Sequence, residues 1–167
     1  MARIPFPSDA PERAERLVTT KLRAPDLPAR RLSRPRLVAS IEESLAFGVV
    51  LVSAPAGYGK TMAVAEWARS AGDPVGWLSV DPGDGDPIRF WRHLIAAVDS
   101  ALPGTADRVG PMASEGELAI TSVVTALIDT VADAGRRVVV VIDDYDAVDS
   151  PAVDSTSGIC CRSDPPT

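Results

Sequence analysis

The residue pattern predicts an α/β fold, a three-layer arrangement in which a parallel sheet is flanked by helices. Three observations predict it. Short runs of valine, leucine and isoleucine recur at residues 49–53, 75–80 and 138–144, each too short for a buried helix. Helical apolar periodicities separate these runs, as alternating strands and helices require. The first run passes directly into a glycine loop that opens a helix.

The elements follow in order. Six prolines between Pro5 and Pro35 deny long helix to the first thirty-odd residues, which stay extended or disordered until packed against something. Ser33 with Pro35 just inside starts a short helix that presents Leu37, Ile41 and Leu45 and stops at Gly48. Val49 to Ser53 reads as a strand buried on both faces. Lys60 to Arg69 forms a helix with Val64, Trp67 and Ala68 inward, ended by Gly72 and Pro74. A strand over Val75 to Val80 is followed by the turn cluster DPGDGDP, then by a helix carrying Ile88, Trp91, Ile95, Val98 and Leu102. A polar loop over residues 103 to 116 precedes a helix marked by Ile120, Val123, Val124, Leu127 and Val131, closed by Gly135. Val138 to Asp144 is the third strand. The chain divides into a basic, proline-rich arm (1–32), a body (33–150) and an irregular tail (151–167).

Composition narrows the function. With 167 residues and 46% apolar content the chain can bury a core of its own. No stretch reaches the roughly 18 consecutive apolar residues of a membrane span, and the start lacks a secretory apolar run, so the expected location is cytoplasmic. Charge is uneven: residues 1 to 36 hold nine Lys or Arg against four Asp or Glu, while the rest holds eight against nineteen. The arm lacks an aromatic stacking ladder or a nucleic-acid reading motif, and Asp9, Glu12 and Glu15 are out of place in a transit peptide. Cys160 and Cys161 are adjacent, a spacing that makes neither a disulfide framework nor a metal site. The single histidine, His93, has no ligand or triad pattern near it and reads as structural or exposed.

The chemistry lies in SAPAGYGKT, residues 53 to 61. Between a strand and a helix, Gly57 and Gly59 let successive amides converge, and the helix N-terminus adds partial positive charge, so the natural occupant is an anion. Ala54, Gly57, Tyr58, Gly59, Lys60 and Thr61 are the candidate nucleotide-binding residues of a P-loop NTPase. Lys60 reaches the terminal phosphates and Thr61 ligates magnesium. The strict pattern has glycine where this chain has Ala54, a change without consequence if residue 54 keeps an ordinary negative φ. Only two lysines stand against fifteen arginines, yet lysine occupies the phosphate position, where a compact ammonium fits better than a guanidinium fork. The third strand delivers two carboxylates at its C-terminal end, where parallel sheets open their sites: Asp143 as the magnesium ligand and Asp144 to polarise the attacking water. ATP and Mg2+ are the expected cofactors.

Four segments, TKLRAPDLPARRLSRPRL, LVSAPAGYGKT, VGWLSVDPGDGDPIRFWRHLIAAV and VVVVIDDYD, occur in the order found in the MalT-like, LuxR-type transcriptional regulators, and residues 20 to about 150 resemble the N-terminal, STAND-type ATPase of that family. The resemblance implies a signalling ATPase whose ATP-bound form self-associates and whose DNA contacts belong to a C-terminal helix-turn-helix. It also implies that Arg34 lies near the nucleotide base. Asp146 stands where the family commonly has histidine. In this type of ATPase a later strand carrying a polar sensor inserts between the loop strand and the aspartate strand, so the sheet is expected to be incomplete here. The chain is then a fragment that binds ATP without efficient turnover. Two alternatives are a stand-alone P-loop kinase or ATPase, disfavoured because only Arg162 follows Asp143, and a non-catalytic module that binds ATP to associate with relatives.

Overall fold

A computed structural model describes residues 17–111 and 117–148, without the side chains of 117–120. The tail, Cys160 and Cys161 lie outside the described residues. Helices α1 (Pro35–Ser44), α2 (Lys60–Ser70), α3 (Pro87–Ala101), α4 (Thr105–Val109) and α5 (Glu117–Asp133) accompany strands β1 (Val75–Ser79) and β2 (Val139–Asp143). The two strands pair in parallel, Val75 opposite Val139 and Ser79 opposite Asp143, so a mixed helical fold with a small parallel sheet is realised.

The expected strand at Val49 to Ser53 is corrected. This segment runs free of ladder bonds among the described residues, and Val49 is 84% and Leu51 73% exposed. Its composition suits a buried strand, but a ladder needs a neighbour, and among the described residues β2 is bonded to β1 alone. Three further differences are smaller. Ser33 does not cap α1: Arg34 takes that position, and Pro35 is the first helical residue. The inward residues of α2 are Ala63, Ala65 and Trp67, with Val64 and Ala68 only half-buried. The polar loop after α3 contains α4, whose Thr105 and Val109 are buried.

The core lies between the sheet and α3. Leu78, Phe90, Trp91, Leu94, Ile95 and Val123 form its centre, and Phe90 meets Trp91 and Tyr145 edge-on at ring separations of 6.1 and 6.4 Å. Each such buried side chain contributes about 1.5–3 kcal/mol relative to exposure. Gly76 sets the close approach: a methyl group there would fall 2.3 Å from the Ala97 carbonyl oxygen of α3. The turn cluster after β1 tightens into a 3₁₀ turn, Pro82–Gly85, framed by a reciprocal Asp81–Asp84 capping box, and Asp86 caps α3 through the Arg89 N–H.

The arm segment is anchored to this body. Its 3₁₀ turn, Thr19–Leu22, places Lys21 against the Asp81–Asp84 turn, with Nζ 2.6 Å from Asp84 and 2.7 Å from Asp81. Asp84 also accepts from Arg89 Nε at 3.2 Å and the Asp81 N–H at 3.0 Å. His93 is buried beside it, as a structural role requires. Its Nε2 accepts the Val18 N–H, which places the ring proton on Nδ1, 3.1 Å from the Arg89 carbonyl oxygen and 3.3 Å from Asp84. Burial first, then Lys21 and Arg89, hold the imidazole below its usual pKa, outweighing the Asp84 charge. Among the described residues no helix is long and apolar enough to cross a membrane.

Candidate nucleotide-binding site

The loop between Val49–Ser53 and α2 turns on two glycines in left-handed conformation. Gly57 and Gly59 have φ of 81° and 75°, which residues with a Cβ rarely adopt, and nothing lies within 4 Å of where a Cβ on Gly57 would stand. Ala54 is not among the residues with positive φ, so its methyl is accommodated. Gly59 caps α2 without any side-chain bond to the first turn, which leaves the amides at that N-terminus open to an external acceptor. The residues present fit a polyphosphate in kind: two left-handed glycines, a helix N-terminus without a side-chain cap and a lysine ammonium stand within one loop.

Lys60, the first residue of α2, turns its Nζ back onto the Ala54 carbonyl oxygen at 2.7 Å. Tyr58 is exposed at the tip of the loop. Thr61 Oγ1 donates to Asp143 Oδ1 at 2.9 Å across 82 residues of sequence, so the two expected metal ligands stand together. Burial pushes the Asp143 carboxyl above its ordinary value. The Asp144 charge adds to that, while Thr61, the Asp144 N–H and Lys60 oppose it.

Asp144 follows in a left-handed conformation, φ 58°, at the start of the 3₁₀ turn Tyr145–Ala147, with its side chain exposed beside Asp143. Aspartate tolerates this conformation better than most residues. Arg34 Nη1 donates to the Tyr58 carbonyl oxygen at 2.8 Å, so this cap residue of α1 reaches the loop itself. Glu66 escapes sequence reasoning. Its carboxylate on α2 accepts from the Ser33 hydroxyl and, at 3.3 Å, from the Arg34 N–H, partners 33 and 32 residues upstream with no local spacing to reveal them. The Ser33 bond is the main reason its pKa lies below the ordinary value.

The Asp143 environment gives one prediction. Because burial raises the folded-state pKa, the ionised carboxylate is a net burden on the ligand-free fold at neutral pH, and its contribution to stability is lost as pH rises through that value. Asp143→Asn is therefore expected to leave ligand-free stability at pH 7 unchanged or raised, while magnesium dependence of nucleotide affinity falls at least about tenfold. Melting curves and titrations with and without chelator check both parts.

Residues 26–160, most of the chain, match the AAA ATPase domain family. The chain belongs to that family, whose members are nucleotide-binding ATPases of the P-loop kind.

Proposed function

We propose that this AAA ATPase domain is the ATP- and Mg2+-binding part of a MalT-like, LuxR-type transcriptional activator, acting as a nucleotide-dependent signalling switch in the cytoplasm. The observation that carries its nucleotide chemistry is the meeting of Thr61 and Asp143 at 2.9 Å beside the Lys60 loop. The order of the four segments, from TKLRAPDLPARRLSRPRL to VVVVIDDYD, supports the activator reading.

In this reading the amides around Gly57, Gly59 and Lys60 hold the phosphates, and the Lys60 ammonium leaves Ala54 to neutralise the terminal ones. Thr61 and Asp143 ligate Mg2+, which supplies charge neutralisation at the phosphates when bound. Asp144 orients a water, and Arg34 lies near the base as well as on the loop. Turnover is slow, because the segment behind the loop has no ladder to hold it rigid among the described residues. DNA contact belongs to a helix-turn-helix outside these 167 residues, and the bound nucleotide controls self-association.

Sedimentation velocity tests the switch. ATP with Mg2+ is expected to shift the chain to a larger species, with ADP shifting it less. An unchanged sedimentation coefficient at saturating ATP removes the switch and leaves nucleotide binding as the whole activity.

A further inference from the structure

The chain crosses from Lys21 of the arm, anchored on the Asp81–Asp84 turn, to Arg34 at the start of α1, anchored on the phosphate loop. Between these points Leu22 packs against the core and Asp26 accepts from Arg69 Nη2 at 3.4 Å. An open groove of about 710 Å³ lies along this segment, lined by Leu27, Arg31, Val38, Trp67 and Ser70. Beside this groove Glu66 holds the segment through both carboxylate oxygens: Oε1 takes the Ser33 hydroxyl, with Arg31 Nε 4.0 Å away, and Oε2 takes the Arg34 N–H.

The bond to Arg34 fixes the residue that touches the loop. Arg34 Nη1 holds the Tyr58 carbonyl, and Nη2 stands 3.9 Å from where a Cβ on Gly59 would be. A trans peptide is planar with its C=O and N–H opposed, and no cis bond occurs among the described residues. Fixing the Tyr58 carbonyl on the Arg34 side therefore aims the Gly59 N–H the other way. A free loop with two left-handed glycines could turn that peptide over at little steric cost.

We infer that Glu66 is a positioning residue for the phosphate loop: through Ser33 and Arg34 it holds the Tyr58–Gly59 peptide in the orientation that presents the Gly59 amide to a nucleotide phosphate. This rests on the nucleotide-binding reading above. The position of Glu66 on α2 matters because α2 begins at the loop, so the helix that carries Lys60 also carries the clamp for the arm.

The test uses the whole chain, ATP with Mg2+ as the probe, and chymotrypsin cleavage after Tyr58 as a ligand-free readout of the loop. Glu66→Ala is expected to weaken ATP binding about tenfold, the worth of a hydrogen bond to a charged group, and to speed cleavage after Tyr58 severalfold. Arg34→Ala should do the same. The double variant should be no worse than Arg34→Ala alone, because Glu66 acts through Arg34. Glu66→Gln, which keeps one acceptor oxygen, should recover part of both effects. Ser33→Ala, which removes one bond only, gives a milder form of the same pattern if Glu66→Ala does not fold. Additive losses in the double variant, or parental affinity and cleavage in folded Glu66→Ala, overturn the inference. If the parent chain binds no ATP the nucleotide reading fails, and unchanged cleavage in Glu66→Ala would then separately overturn the effect of Glu66 on the loop.

Discussion

Asp84→Ala is expected to lower the unfolding free energy by about 3–5 kcal/mol, the range for breaking a buried ion pair from one side. Asp84 is 1% exposed and takes three donors, Lys21 Nζ at 2.6 Å, Arg89 Nε at 3.2 Å and the Asp81 N–H at 3.0 Å, with His93 Nδ1 3.3 Å away. Removing it leaves Lys21, itself buried, with the half-exposed Asp81 as its one remaining acidic partner among the described residues, and strips a backbone N–H of its partner. The capping box fails with it, loosening the turn that leads into α3. Small domains have only about 5–15 kcal/mol in total, so the loss is a large fraction of it. Asp84→Asn keeps the volume and one acceptor and should fall between parent and alanine. Urea unfolding reads the effect as a shift of midpoint at constant slope. A loss below about 1 kcal/mol would show that the cluster is decorative.

The sequence disclosed those parts of the molecule whose cause is local. Helices α2, α3 and α5 repeat their apolar residues at helical spacing, β2 is a short branched run, and β1 is a short segment between the Gly72–Pro74 stop and the DPGDGDP turn. Val49 to Ser53 is as valine-rich as β2, yet composition reports only the preference for an extended chain, whereas a ladder depends on a partner strand. Helix α4, five residues between Gly104 and Gly110, is too short to show a period. Asp81 and Asp84 were legible as turn residues but not as the anchor of Lys21, because that pairing spans about sixty residues.

The candidate site divides along the same line. Gly57, Gly59, Lys60 and Thr61 belong to one short motif whose spacing is itself the sequence signal of a phosphate loop, and Asp143 is marked by its place at the end of a strand. Arg34 drew attention only through a resemblance, and its bond to the Tyr58 carbonyl is visible only in three dimensions. The Glu66 clamp has no sequence signature, since an acid on a helix most often just faces water.

The second large effect is on binding, and it bears on the central claim that this chain holds a nucleotide at the loop of residues 54 to 61. Lys60 Nζ rests on a neutral carbonyl oxygen rather than on a carboxylate, so moving to a phosphate exchanges a weak partner for a charged one. Lys60→Ala removes that gain and is expected to weaken ATP binding by roughly 1.5–3 kcal/mol, about ten- to a hundredfold or slightly more in dissociation constant. The fold should tolerate it, because the side chain is only half-buried and α2 favours alanine. The decisive measurement is calorimetric titration of ATP with Mg2+ into the parent and into Lys60→Ala, after melting curves show both folded. Binding by the parent that weakens at least about tenfold in the variant is the predicted result. Equal affinity in the two proteins, or no binding by the folded parent, would contradict the account.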